Sequence, residues 1–382
     1  MHRPKVMTVY GTRPEAIKVA PVIKGLALDD RFRSTIVSTG QHKEMLAQVN
    51  SMFDINPDYD LKLMKHGQSL NELVSRCMLG LDEIITAEDP DAIIVQGDTS
   101  TAMAAAHAAF HKGVKVVHLE AGLRSGSIFN PFPEEANRRV VAQLASLHLA
   151  PTSAAKDNLR RENFHSDDIA ITGNTVIDAL VEAARWTSSF QDERLEALAN
   201  TRDRVVLVTT HRRENLNVMT EIGTAVHDLA VKYPSVYFAL PLHLNPLVRN
   251  VVMPKVENLD NVIVTDPLPY DQFVSLLSRS SLVLTDSGGV QEEAPSLGKP
   301  VLVMRNNTER PEAIAAGTVK LVGTNQSRIV AEASLLIENR AAYVAMGNAV
   351  NPYGDGRASE RTIAAIAELL GVGDRLPDFF NN

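Results

Sequence analysis

One unit recurs through the sequence: a short, continuous apolar run stops at a polar turn and leads into a helix-like stretch. Ala92-Ile93-Ile94-Val95 is the clearest case, ending at Gln96-Gly97-Asp98-Thr99-Ser100 before an alanine-rich segment. A run that is apolar at every position suits a strand covered on both faces, as in a parallel sheet flanked by helices. Similar runs at residues 6–10, 34–38, 114–119 and 147–150 occupy the first half, and runs at 205–208, 236–240, 262–264, 282–285, 300–304 and 319–322 the second. Helices predicted after Thr12, up to Phe53, over residues 70–86 and from Pro133 complete the alternation. The expected fold is therefore α/β, with two Rossmann-like domains. The first covers residues 1–170 and the second residues 171–356; a terminal helix within about 357–382 returns to the first domain. A chain of 382 residues is long enough for two separate cores.

In open parallel sheets, ligands sit beyond the carboxyl ends of the strands. In the first half those ends carry Arg13, Asp98 and Glu120, with Glu134 just after. Thr12 can cap the first helix, Pro14 suits its first turn, and Glu15 complements its dipole. Lys18 lies a turn further on and, taken alone, reads as a solvated helix charge. In the second half the strand ends carry His211, Arg212, Arg213, His243, Ser287, Gly288, Gly289, Glu293 and Arg310.

Leu282-Val283-Leu284-Thr285-Asp286-Ser287-Gly288-Gly289 runs from strand into helix start. Its glycines allow close backbone approach, and its free N–H groups suit a phosphate. Glu293, a turn later, could hold ribose hydroxyls. Taken in isolation, a plain strand-to-helix turn explains the segment equally well. The whole pattern decides otherwise, with phosphate-type chemistry in the second domain and carboxylates in the first. A nucleotide-sugar held in an interdomain cleft fits both.

Other classes are disfavoured. A net charge of −8 argues against a nucleic-acid partner. The single cysteine, Cys77, excludes a disulfide framework and reads as core filling. No run of about 18 apolar residues suggests a membrane span, and the N-terminal strand is too brief for a signal peptide, so the expected location is cytoplasmic. There is no Gly-x-x-x-x-Gly-Lys-Ser/Thr loop, and no Gly-x-Gly-x-x-Gly follows the first strand. His211 and His243 with Asp98 and Glu120 could be read as metal ligands, but the spacing lacks a helical His pair and acid–base work suits them as well. The expectation is no metal and no cofactor.

Eight motifs, in order, resemble the non-hydrolysing UDP-N-acetylglucosamine 2-epimerases. They are Gly11-Thr12-Arg13-Pro14-Glu15-Ala16-Ile17-Lys18, Gln96-Gly97-Asp98-Thr99, His118-Leu119-Glu120-Ala121-Gly122-Leu123-Arg124, Pro133-Glu134-Glu135-Ala136-Asn137-Arg138, His211-Arg212-Arg213-Glu214, Thr285-Asp286-Ser287-Gly288-Gly289, Gln291-Glu292-Glu293 and Asn351-Pro352-Tyr353-Gly354-Asp355-Gly356. The resemblance implies the glycosyltransferase-B architecture, a homodimer, and a place in cell-surface polysaccharide synthesis. It also implies interconversion of UDP-N-acetylglucosamine and UDP-N-acetylmannosamine through 2-acetamidoglucal, with UDP leaving and re-adding.

The resemblance gives Asp98, Glu120, Glu134 and His211 to elimination and proton transfer. Arg13 and His243 would contact the phosphates, Ser287, Gly288 and Gly289 would cradle them, and Glu293 would hold the ribose, with Arg310 and Lys18 in support. A second, regulatory site of some family members matches Gln41, His42, Gln68, Glu135 and Arg212. Regulated members tend to carry Arg where this chain has Gly67, and Thr210 stands where Gly is common. The alternatives are a hydrolysing epimerase, a glycosyltransferase-B sugar transferase and a non-catalytic nucleotide-sugar sensor.

Overall fold

The computed structural model describes residues 3–40, 43–65 (43–45 by backbone only), 67–186, 188–211, 215, 218–308 and 310–380. It divides into two compact units, Met1–Ala179 with Tyr353–Asn382, and Leu180–Pro352.

The first unit holds strands β1 (Lys5–Tyr10), β2 (Arg33–Ser38), β3 (Tyr59–Asp60), β4 (Ala92–Gln96), β5 (Lys115–Leu119), β6 (Leu147–Ala150) and β7 (Ile169–Ile171). They form one sheet in the order β3-β2-β1-β4-β5-β6-β7, parallel throughout. Ala92, Ile93, Ile94 and Val95 are all 0 % exposed, as a strand covered on both faces must be. On one face Met7, Val9, Ile93, Val95 and Val116 meet Leu73, Cys77, Leu81 and Ile84 of the helix Leu70–Glu88 and the alanines of Ser100–His111. The small alanine side chains let that helix lie close to the sheet. Each fully buried leucine or isoleucine contributes roughly 1.5–3 kcal/mol. Two strands escaped the sequence reading. β3 is two residues long and polar, and β7 lies at the boundary that had been assigned to the second domain.

The terminal helix Ala358–Leu369 packs on Arg13–Leu28. Gly25 makes that approach close, because an added Cβ there would lie 2.3 Å from Ile363 Cδ1. Asp178 caps the terminal helix, accepting from Ala358 N at 3.1 Å, Ser359 N at 2.8 Å and Ser359 Oγ at 2.6 Å.

The second unit holds β8 (Arg204–Thr209), β9 (Val236–Pro241), β10 (Val262–Thr265), β11 (Leu282–Thr285), β12 (Val301–Val303) and β13 (Val319–Leu321). Their order is β10-β9-β8-β11-β12-β13, again all parallel. Val206, Val208, Leu240, Leu282, Leu284 and Leu302 share a core with the helix Met219–Lys232. Both sheets follow the doubly wound plan. Connections run outward in both directions from adjacent central strands, β1 and β4 in one unit and β8 and β11 in the other. At that reversal the turns beyond the strands part and leave room for a ligand. No helix among the described residues is long and apolar enough to cross a membrane.

Candidate functional site

In the first unit the switch point lies between the turns after β1 and β4. Glu15 ties these turns together. Its Oε2 accepts from Gly11 N at 3.0 Å and Thr12 N at 2.7 Å, while its Oε1 accepts from Thr99 Oγ1 at 2.6 Å. Thr99 in turn caps the helix Ser100–His111. Glu15 is 1 % exposed, and burial pushes its carboxyl above the ordinary range against the pull of these donors. The N–H groups of Gly11 and Thr12, in the turn before the helix, are therefore occupied by the chain's own carboxylate.

Two of the carboxylates expected at this edge, Asp98 and Glu120, lie near each other. Glu120 follows β5 directly, with φ +64°. Its carboxylate accepts from Lys18 Nζ at 2.6 Å on each oxygen, from Gln96 Nε2 at 2.5 Å and from Asn174 Nδ2 at 2.9 Å. Lys18 thus points into the cluster, where the sequence alone suggested a solvated charge. An added Cβ on Gly97, which has φ +68°, would lie 3.5 Å from Glu120 Oε2.

Asp98 pairs with Arg138, and its backbone oxygen accepts from Asn137 Nδ2 at 2.9 Å. Burial raises the Asp98 carboxyl above its ordinary range against the pull of Arg138, and the nearby Glu120 charge adds to the rise. Glu134 opens the helix Glu134–Leu144, and its Oε2 is buried without a hydrogen-bond partner among the described residues. Arg13 is the first residue of the helix that begins at β1, at the same sheet edge.

In the second unit the switch point lies between β8 and β11, whose last residues are joined by Thr209 Oγ1 and Thr285 Oγ1 at 2.6 Å. Asp286, 0 % exposed, accepts from Thr210 Oγ1 at 2.9 Å, His211 N at 3.0 and 3.1 Å, and Asn215 Nδ2 at 3.1 Å. The His211 ring stacks against that of His243, with centroids 6.1 Å apart and an interplanar angle of 21°. Ser287 precedes the helix Gly288–Ser296, and among the described residues its side chain makes no cap hydrogen bond there.

Gly288 is buried because Arg310 lies across it; an added Cβ would sit 2.5 Å from Arg310 Nη1 and 2.8 Å from its Cζ. Arg310 is held by Glu292, Nε to Oε1 at 2.6 Å. Gly289 is exposed, with no described atom outside its own stretch of helix within 4 Å of a Cβ placed there. Glu293 is buried at 9 % exposure one turn into the same helix. This edge therefore offers a helix start beside a fixed guanidinium, which suits a diphosphate.

Of the residues matched to a regulatory site, Gln68 and Glu135 are among the described residues. Gln41, His42 and Arg212 lie outside the described residues. Gln68 accepts from Arg76 and, with Lys65 and Asn71, lines an open cavity of about 430 Å³. Glu135 is fully buried; it accepts from Ser125 N at 3.0 Å, Arg138 Nη1 at 3.2 Å and Arg139 Nε at 2.9 Å.

Sequence reasoning gave no role to Gln96, Asn174, Arg138, Asp286 or Asn215. Gln96, Asp286 and Asn215 lie within or beside quoted strand-end segments, which was the available signal; an uncharged amide at a strand end carries no further mark of its partner.

The chain is similar to known proteins over nearly its full length. The family model described as UDP-N-acetylglucosamine 2-epimerase matches residues 24–367. A protein of Escherichia coli (strain K12) named UDP-N-acetylglucosamine 2-epimerase is 48% identical over 368 residues, spanning 95% of this chain and 98% of its own. A crystal structure titled UDP-N-acetylglucosamine 2-epimerase superposes with a TM-score of 0.93 at 42% identity, covering 100% of each chain. The UDP-GlcNAc 2-epimerase from Neisseria meningitidis, solved bound to UDP-GlcNAc, gives a TM-score of 0.84 at 46% identity, covering 96% of this chain and 99% of its own.

Proposed function

Because the chain belongs to the UDP-N-acetylglucosamine 2-epimerase family, we propose that it interconverts UDP-N-acetylglucosamine and UDP-N-acetylmannosamine without net hydrolysis. A base takes the C2 proton while the C1–O bond to UDP breaks, its electron pair leaving on the β-phosphate oxygen. The former C–H pair becomes the C1=C2 bond of 2-acetamidoglucal. A proton is then delivered to the opposite face of C2, and the UDP oxygen re-adds at C1.

The C2 proton is weakly acidic, since no carbonyl is adjacent, so its removal has to be coupled to a well-stabilised leaving group. The observation that carries the reading is the division of chemistry between two strand-end clusters in a chain matched over nearly its full length. Asp98, Glu120 and Glu134 supply proton transfer at C2, with Lys18 fixing Glu120. The start of Gly288–Ser296, with Ser287, Gly288 and Gly289, holds the diphosphate alongside Arg310 and His243, and the family resemblance gives Arg13 a phosphate contact as well. Glu293 takes the ribose, and His211 acts at the phosphate side, next to its stacked partner His243. Preorganised donors at a departing anion are among the strongest catalytic devices available.

The test is incubation with UDP-GlcNAc in D2O, following C2 by NMR. Deuterium at C2 together with UDP-ManNAc supports the reading. Free N-acetylmannosamine points to the hydrolysing alternative, and absence of C2 exchange overturns both. Asp98→Asn should slow turnover by orders of magnitude while UDP still binds.

The same reading makes the protein a cytoplasmic homodimer, which fractionation and light scattering check. Gly67 argues against activation by substrate at a second site near Gln68, so hyperbolic kinetics in UDP-GlcNAc are expected.

A further inference from the structure

We propose that Asp286 is a positioning residue that fixes the tautomer and orientation of His211 for its work on the departing diphosphate; this rests on the assignment of His211 to the epimerisation. Asp286 is fully buried at the end of β11, and such a carboxylate is tolerated only where donors converge on it. Three side-chain or backbone donors do so: Thr210 Oγ1, His211 N and Asn215 Nδ2, at 2.9–3.1 Å. The Asn215 amide is itself pinned, donating to Met304 O at 3.1 Å.

The fourth group to approach is the His211 imidazole, with Nδ1 3.4 Å from Asp286 Oδ1. Asp286 thus accepts from the backbone N–H of His211 and lies beside the ring of the same histidine. A carboxylate beside Nδ1 favours the proton there and leaves Nε2 to face a ligand. It also stabilises the imidazolium, whose second proton comes from solvent before the reaction and whose Nε2–H then donates to the departing diphosphate oxygen. The His243 ring lies nearly parallel to that of His211, with centroids 6.1 Å apart. Asp286 directly precedes Ser287 at the helix start, so the residue that orients the imidazole also begins the segment that would hold the phosphates. A carboxylate serving only to end the strand would not need the ring of His211 at its second oxygen.

The test uses the full chain labelled with 15N-histidine, with the His211 resonances identified by their loss in His211→Gln. In the wild type, neutral His211 should carry its proton on Nδ1. In Asp286→Asn the proton should move toward Nε2, because an amide can offer Nδ1 a donor. The kcat should fall by about 100-fold or more, as when a triad aspartate is replaced by asparagine. KM and the UDP dissociation constant should stay within about threefold, since the phosphate cradle is untouched.

A wild-type His211 protonated on Nε2 overturns the proposal. So does an Asp286→Asn enzyme with kcat within about threefold of normal, one whose loss lies in KM, or one that loses activity with the tautomer unchanged. If Asp286→Asn does not fold, the wild-type tautomer decides alone. Failure of the underlying assignment is seen separately, as a wild-type enzyme without C2 exchange or a His211→Gln enzyme of normal turnover.

Discussion

Lys18 donates to both carboxylate oxygens of Glu120, at 2.6 Å each, across 102 residues of sequence. The pair is largely withdrawn from water, with side-chain exposures of 20 % and 9 %. It holds the Glu120 side chain at a backbone conformation, φ +64°, that a glutamate rarely adopts. Residues held in this way cluster at functional sites, where the surroundings over-determine them.

Replacing Lys18 by Met keeps the aliphatic stem and removes the cation. Gln96 and Asn174 still donate to Glu120, so the carboxylate is left weakened rather than isolated. The expected result is a loss of about 10- to 100-fold in kcat, equivalent to ~1.4–2.8 kcal/mol of transition-state stabilisation. Steady-state kinetics check it; near-normal turnover would show that the charge state of Glu120 does not limit the reaction.

The framework of both sheets was legible because it is written in contiguous residues. Four consecutive apolar side chains such as Ala92 to Val95 admit few environments, and the polar residues that stop each run mark the functional edge. Ser287, Gly288 and Gly289 were legible for the same reason. The partners were not. Lys18 looks like any helix lysine until β5 delivers Glu120 beside it, and Asp286 looks like a turn residue until Thr210, His211 and Asn215 arrive from more than 70 positions away. Two-residue β3 has too little pattern to be read at all, and its pairing with Val37 and Ser38 is a property of the assembled sheet.

Glu15→Gln tests the tie between the turns after β1 and β4. The amide can still accept through one oxygen, but Gly11 N, Thr12 N and Thr99 Oγ1 cannot all be satisfied by it. A destabilisation of about 1–3 kcal/mol at pH 5 is expected, the cost of leaving a buried donor unmade. The folded Glu15 carboxyl titrates above its unfolded value, so the folded state holds that proton more tightly. Its contribution is fully present below the unfolded pKa and is lost as pH rises through the folded one. Since the variant lacks this titration, its deficit relative to wild type should shrink from pH 4 to pH 8 in urea unfolding; a deficit growing over that range would contradict the burial argument.

Gly288→Ala and Gly289→Ala separate two reasons for a glycine. At Gly288 a methyl meets the Arg310 guanidinium at 2.5 Å, so Arg310 must leave its place. UDP affinity should fall about tenfold, ~1.4 kcal/mol. At Gly289 the methyl meets no described atom within 4 Å outside its own stretch of helix, so folding should be unharmed or slightly improved. Any loss of UDP affinity in Gly289→Ala then measures how closely the ligand approaches the backbone. Calorimetric titration with UDP reads both; unchanged affinity in the two variants would remove this helix start from the phosphate site.

His118 and His148 make stability fall in mild acid. They are register partners on β5 and β6, at 0 % and 1 % exposure, and Nδ1 of each has no hydrogen-bond partner among the described residues. Burial drives the His118 pKa down to about 3, outweighing its Nε2 contact with Gly97 O at 2.8 Å, and the His148 and Arg124 charges lower it further. Burial, then Arg124, bring His148 to about 4. Both folded values lie below the unfolded value near 6.5, so the unfolded state binds protons first. The stability they contribute is complete above about pH 6.5 and is lost as pH falls toward the folded values. By linkage, each histidine costs about 2 kcal/mol at pH 5 relative to neutral pH. The urea midpoint should therefore drop clearly between pH 7.5 and pH 5. In His148→Gln about half of that drop should disappear, because the glutamine does not titrate. An equal drop in wild type and variant would mean that other groups set the acid sensitivity.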